Sequence, residues 1–215
     1  MSPTMFYDIG IATAQTVYMV IVSTLFAALI GLPLGTILYT SKKIKPNVAI
    51  NRLLSGFINI CRSIPFIILL VALIPLTRII VGTSIGINAA IVPLTLGAAP
   101  FFARLVDNVY QSLPSGLVET GYAMGASTWQ MIRHILLPEA RPALIHAFTV
   151  TAITLVNYSA MAGTVGGGGL GDLAIRYGYQ RFNVTVMFIT VAILVLIVQL
   201  LQLGGDRLAQ RFYKS

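Results

Sequence analysis

The stretch that decides the fold is residues 119–138, ETGYAMGASTWQMIRHILLP, which lies between two long hydrophobic runs. The pattern predicts short helices with apolar residues on their outer surface, and such a surface needs a partner. From the pattern alone two partners fit equally well. The helices either fold back on the membrane interface or dock in a groove of another protein.

Local signals divide this stretch into two helices. Leu113-Pro114-Ser115 is a start signal for a helix that runs through Glu119 to about Met124. Gly121 and Gly125 then favour a break in the helix. Ser127 and Gln130 have the spacing of a capping box, in which a hydroxyl and an amide satisfy the free N–H groups of a new helix.

The second helix is predicted to carry one apolar face and to end at a proline. Trp129, Ile132 and Leu136 are spaced i, i+3 and i+7, which places them on the same side of a helix. We expect the helix to stop at Leu137-Pro138, because proline disfavours helical geometry in the residue before it.

Composition identifies an integral membrane protein. The chain has 215 residues, of which 57% are hydrophobic and only 9% charged, against about 25% charged in a soluble domain. Five uncharged windows, one of them short, predict an all-α protein with five transmembrane helices and a single domain spanning residues 1–215. The predicted spans are about 16–39, 56–77, 84–103, 143–162 and 184–204, and the long loop is 104–141. In the short window, 63–77, the span must either include Arg62 with its charge snorkelling to the interface or be buried among other helices.

Positive residues orient the predicted spans. The net charge of +8 comes from 14 Lys and Arg against 6 Asp and Glu. Five spans leave three arginines on one side, Arg78, Arg176 and Arg181. They place eleven cations on the other, Lys42, Lys43, Lys45, Arg52, Arg62, Arg104, Arg133, Arg141, Arg207, Arg211 and Lys214. The positive-inside rule then predicts an outside N-terminus and a cytosolic C-terminus. The basic excess is a topology signal and does not indicate nucleic-acid binding.

Several classes of chemistry are missing from the sequence. No Gly-Lys dipeptide occurs, so the phosphate-binding loop of a P-loop ATPase is absent. His134 and His146 lack acidic or cysteine partners at ligand spacing, which favours a structural role over metal binding. Cys61 is the only cysteine, so no intrachain disulfide is possible. We expect a protein that is not an enzyme.

Part of the loop resembles a known motif. Glu119, Gly125, Ile135, Leu137 and Pro138 have the identity and spacing of the EAA loop of ABC-importer permeases, whereas Thr120 and Gly121 stand in place of its two alanines. The resemblance implies a type I ABC importer permease fold, with a cytosolic coupling helix that docks on an ATPase subunit. The implied coupling residues are Glu119, Gly121, Ala123, Met124, Gly125, Ala126, Ser127, Ile135, Leu137 and Pro138.

A second resemblance is more specific. Residues 157–182, with a glycine run at 163–171, look like the permease subunit of bacterial methionine importers. This implies a homodimer in the bacterial inner membrane, two ATPase subunits that bind ATP and magnesium, and an external binding protein that delivers methionine. No cofactor is expected on this chain itself. The alternatives are a methionine-containing dipeptide or another amino acid as substrate, or a passive channel or scaffold.

Two smaller patterns leave alternatives open. Thr154, Asn157, Tyr158 and Met161 share one face of the fourth span, where they either line a substrate path or join helices through hydrogen bonds. The glycine run either forms a tight outer turn or contacts substrate directly. In the first span, Ala27, Gly31 and Gly35 form a small-residue stripe, for which general packing of membrane helices is favoured over a specific dimer seam.

Overall fold

The computed structural model describes residues 3–212, and every regular element in this range is helical. Lys214, one of the predicted cytosolic cations, lies outside the described residues. The elements are α1 (Pro3–Lys43), α2 (Val48–Ser63), α3 (Phe66–Ala72), α4 (Ile74–Val81), α5 (Ile87–Gln111), α6 (Ser115–Ala123), α7 (Thr128–Gln130), a π-helical segment (Met131–Leu136), α8 (Leu137–Gly163), α9 (Gly169–Leu173), a second π-helical segment (Ala174–Tyr179) and α10 (Val184–Gln210).

Four of the described helices are long and apolar enough to cross a membrane, namely α1, α5, the combined helix Thr128–Gly163, and α10. The pair α2 and α3 is bent by 101°, and it provides a fifth span if the bent pair is counted as one. The chain is therefore an all-α protein with four to five candidate membrane spans.

The expected second span, residues 56–77, is interrupted. Between α2 and α3, Ile64 and Pro65 are both extended, with ψ of 124° and 133°. The residue before a proline avoids helical geometry and proline has no N–H to donate, so the helix breaks at this dipeptide. The helix resumes in two short pieces, α3 and α4.

The main core forms where α1 packs on α5. Ala27 is fully buried, and a Cβ atom built on Gly31 would lie 2.7 Å from the carbonyl oxygen of Ala99. Gly35 lies against Ala103 and Val106 in the same way. The small-residue stripe of α1 therefore serves packing within the chain, as predicted, because only small residues let two helix backbones approach this closely.

An arginine that is ion-paired within α5 also bonds to α2. Arg104 on α5 donates to Asp107 at 3.1 Å and, across to α2, to Ser55 at 3.1 Å and Asn59 at 2.7 Å. The Asp107 side chain is 3% exposed. A buried carboxylate needs its partner, so this contact fixes the broken helix α2 against the core.

Candidate functional site

The loop between α5 and α8 has the two-part structure that its sequence predicts. Helix α6 ends at Ala123, and Gly125 follows with φ of +70°, a conformation that glycine adopts without strain. The capping box is present: Ser127 N–H donates to Gln130 Oε1 at 2.8 Å, and Gln130 N–H donates to Ser127 Oγ at 3.3 Å. The turn between the helices is thus fixed by local bonds.

The prediction that the second helix stops at Leu137-Pro138 is wrong. Leu137 is helical (φ −63°, ψ −45°), and the helix continues from Thr128 to Gly163. Before the proline the helix widens to a π-helical turn, in which Leu137 N–H donates to the Ile132 carbonyl five residues earlier. In this wider turn the proline ring is not forced onto the carbonyl four residues before it, and Pro138 lies in the first turn of α8, where proline is tolerated.

The predicted coupling residues divide by exposure. Those that face outward are Glu119, Ala123, Met124, Gly125 and Ser127, and those that are partly or fully covered are Gly121, Ala126, Ile135, Leu137 and Pro138. Met124 is 69% exposed, and beside it Tyr122 and Trp129 are 49% and 64% exposed. We call these three large side chains the exposed loop patch.

The predicted apolar face of the second helix is divided. Trp129 is exposed, whereas Leu136 is fully buried. Together with Met131 and Tyr110 it belongs to a second hydrophobic core, which we call the second core. The π-helical turn lies between Trp129 and Leu136 and changes the rotation per residue, so the two side chains do not serve one surface.

Two contacts of the loop were missed by sequence reasoning. A Cβ on Gly121 would lie 2.5 Å from Met131 Sδ and 2.9 Å from Ile135 Cδ1, so a larger residue here must displace these side chains from the contact between α6 and the π-helical segment. The Tyr122 hydroxyl also donates to the carbonyl of Ile44, just past the end of α1. The glycine in place of an alanine was the only sequence signal for the first contact, and nothing local pointed to the second.

The predicted substrate-path residues lie in the C-terminal half of α8, but they are not equivalent. Asn157 and Met161 are exposed, Met161 at 46%, and Thr154 is partly covered. Tyr158 instead turns to the side, where its ring stacks on Phe66 with centroids 4.2 Å apart and planes 4° apart. Three of the four residues thus form an open stripe, and the fourth borders a groove at the break between α2 and α3.

The glycine run packs against two helices. Gly169 N–H donates to Gln15 Oε1 at 3.0 Å, and Leu170 N–H donates to Thr16 Oγ1 at 2.8 Å. Side chains of α1 thus accept hydrogen bonds from the free N–H groups at the start of α9. Gly167 approaches α8 so closely that a Cβ would lie 2.7 Å from the Ala162 carbonyl oxygen. These contacts are those of a tight turn.

An ion pair lies just beyond this turn. Arg176 Nε donates to both carboxylate oxygens of Asp172, at 2.8 and 2.9 Å. These hydrogen bonds raise the pKa of Arg176, so the pair stays charged. Arg181 lies 4.6 Å from the centroid of the Tyr177 ring.

Comparisons with known proteins agree over nearly the whole chain. Residues 31–214 match the model of the family described as binding-protein-dependent transport system inner membrane component. The probable D-methionine transport system permease protein MetI of Vibrio cholerae is 53% identical over 202 residues, covering 93% of this chain and 90% of that protein. Its counterpart in Pasteurella multocida is 50% identical and covers 99% of both chains.

Solved structures agree as well. A chain of the MetNI methionine ABC transporter, solved in inward-facing conformations, has a TM-score of 0.98 and 50% identity and covers 100% of both chains. An amino acid ABC transporter solved with histidines has a TM-score of 0.70 at 20% identity and covers 98% of this chain and 92% of its own, so it shares the fold.

These relatives and the apolar helices identify a multi-pass protein of the bacterial inner membrane. Taken with the loop at residues 104–141 and the family match over residues 31–214, they establish that this chain belongs to the family of inner membrane components of binding-protein-dependent transport systems.

Proposed function

We propose that this chain is the permease subunit of an ATP-driven methionine importer and forms the translocation path as a homodimer. The observation that carries the proposal is the likeness to the methionine ABC transporter chain, which extends over 100% of both chains at 50% identity. An inward-facing importer must pass its substrate between helices, and a five-span chain is small for a complete path, so two copies around a twofold axis are economical.

The energy comes from a separate ATPase subunit that binds ATP and magnesium and docks on residues 119–138. The exposed loop patch of Tyr122, Met124 and Trp129 supplies the apolar contacts of a helix in a groove. Because the helix from Thr128 to Gly163 is continuous, a displacement at this loop is carried into α8. Thr154, Asn157, Tyr158 and Met161 lie on α8, so docking and the proposed substrate path share one element.

The proposed orientation places the N-terminus and the glycine turn outside and the loop and C-terminus in the cytosol, with five spans in between. The partition of eleven cations against three supports it. The outer surface around Arg176 and Arg181 then faces the binding protein that delivers methionine.

The test is transport by the assembled complex. The permease is reconstituted with the ATPase and binding protein encoded beside it, and labelled methionine uptake is measured with ATP inside the vesicles. We expect uptake that needs ATP and the binding protein and that is lost when the lysine of the ATPase phosphate-binding loop is replaced. Uptake without ATP would indicate a passive channel, and competition by a dipeptide or another amino acid but not by methionine would indicate a different substrate.

A further inference from the structure

A groove of about 110 Å³ opens at the break between α2 and α3. Arg62 and Cys61 form its α2 side, Phe66 begins α3, and Gly97, Phe101 and Tyr158 complete it from α5 and α8. Neither the motif of the loop nor the glycine turn contributes to it. Broken helices of transporters are where substrates bind near the middle of the membrane.

The neighbours of Arg62 in the groove are mainly apolar, although its own side chain is exposed on the described chain. Gly97, Phe101 and Tyr158 belong to the uncharged stretches of α5 and α8. Arg104 lies one turn nearer the loop end of α5 and bonds to Ser55 and Asn59 of α2. Since Arg62 follows Asn59 on the same face of α2, it lies further from the loop end of α5 than Arg104 does.

Arg62 has no acidic side chain or hydrogen-bond partner among residues 3–212. Its guanidinium group thus presents five N–H donors to an open groove. Arg104, by contrast, is paired with Asp107. A cation without a partner in its own chain beside uncharged helix stretches is free to bind an anion, and charged residues within transmembrane segments mark substrate or ion pathways.

The other wall of the groove is aromatic. Phe66 and Tyr158 are stacked, and Gly97 makes room for them, since a Cβ at Gly97 would lie 3.3 Å from both Phe66 Cδ2 and Leu69 Cδ2. A cation beside an apolar aromatic wall matches an amino acid that has a carboxylate at one end and an apolar side chain at the other. Guanidinium binds a carboxylate through two parallel hydrogen bonds.

A polar face of α2 leads from this groove toward the loop end of the bundle. Asn59 and Ser55 follow Arg62 at helical spacing, and they lead to a groove of about 410 Å³ that Lys42, Asn51 and Arg52 line. The opposite side of α2 is exposed and apolar, with Ile50, Leu53, Phe57 and Ile60. An apolar stripe suits lipid, so the polar face is the side that turns away from lipid.

We propose that Arg62 binds the carboxylate of the transported amino acid during its passage, with Phe66 and Tyr158 packed against the substrate side chain. This inference rests on the proposed function, because it names the contact by which that same permease holds its substrate. The substrate class is an α-amino acid with a free carboxylate and an apolar side chain.

Uptake by variants of the reconstituted complex tests the role of the charge. We expect Arg62→Gln to lower methionine uptake at least tenfold with unchanged assembly of the complex. Arg62→Lys should retain part of the wild-type uptake, because it keeps the charge. Arg207→Gln, an exposed arginine near the C-terminus, is the matched control and should transport normally. If the wild type transports methionine and Arg62→Gln transports it equally well, the assignment of Arg62 is wrong and the proposed function stands. If the wild type does not transport methionine, the proposed function is wrong.

Cys61 provides a measurement on the wild-type chain that needs no variant. It lines the groove beside Arg62, so a bound carboxylate should slow its reaction with N-ethylmaleimide, followed on the permease by mass spectrometry. We expect protection by methionine and none by methioninol, which lacks the carboxylate, at the same concentration. Equal protection by both compounds, or none by methionine, contradicts the proposal.

Discussion

Gly121 and Gly125 lie four residues apart in the loop between α5 and α8 and meet different physical requirements. Gly121 is buried against Met131 and Ile135, where no side chain fits without displacing them. Gly125 has open space around its Cβ position but a φ of +70°, which most side chains disfavour. The first glycine therefore determines how α6 packs, and the second determines the direction in which the chain leaves α6.

Gly121→Leu should destabilise the loop, because the larger side chain must displace Met131 from the second core. Overpacking of this kind costs about 1–3 kcal/mol, which thermal unfolding of the purified permease will report. Gly116→Leu is the matched control, since Gly116 lies in the same helix with nothing within 4 Å of its Cβ position. Equal stability of the two variants would refute the packing role of Gly121.

Gly125→Asp should uncouple transport without unfolding the membrane bundle. A carboxylate buried at the proposed ATPase contact without a partner costs about 3 kcal/mol or more, over a hundredfold in affinity. Gly125→Asn isolates the charge, because asparagine has the same shape and tolerates positive φ. Co-purification of the ATPase should fall much further for Asp than for Asn. If Gly125→Asp binds the ATPase and transports normally, the loop is not the coupling element.

At the scale of elements, two prolines show how much of the fold the sequence reveals. Pro138 was expected to end a helix but does not, because a π-helical turn absorbs it, whereas Pro65 does end one inside the expected span 56–77. Such a turn depends on packing of Met131 and Leu136 in the second core, which no local pattern shows. Hydropathy also missed the first part of α2, because its polar face with Asn51, Ser55 and Asn59 lowers the average over a window.

The contact between α2 and α5 should depend on a charge pair. Arg104→Gln leaves Asp107 buried without a cation, which costs about 3–5 kcal/mol, so the thermal midpoint of the permease should fall. Adding Asp107→Asn removes the buried charge and should restore part of the loss. A double variant no more stable than Arg104→Gln would show that the hydrogen bonds to Ser55 and Asn59, and not the ion pair, hold α2.

At the scale of the whole molecule, the sequence predicted the helical class, the loop and its capping box, because these follow from composition and local hydrogen bonding. It could not predict the stacking of Tyr158 on Phe66 or the groove at Arg62, which bring together residues from four helices. Tyr158 and Met161 share a helix face by spacing, but α3 covers Tyr158 and leaves Met161 exposed.

The proposed orientation has a direct test. In a Cys61→Ser background, Gln180→Cys in the outer segment should react with an impermeant maleimide in intact cells, whereas Ser115→Cys in the loop should react only after the membrane is opened. Both positions are exposed, so access to the side of the membrane decides the result. Labelling of Ser115→Cys in intact cells would reverse the orientation and exclude the loop as the ATPase contact.

The hydrogen bonds between α1 and the glycine turn can form only late in synthesis of the chain. Gln15 and Thr16 bond to residues 154 positions later in the chain. At about 5–20 residues per second of synthesis, they wait on the order of ten to thirty seconds before those partners emerge from the ribosome. During that interval the first helix lacks these two partners. Membrane proteases therefore encounter the permease after insertion but before it is fully folded. Variants at the turn should accordingly insert normally and be degraded afterwards.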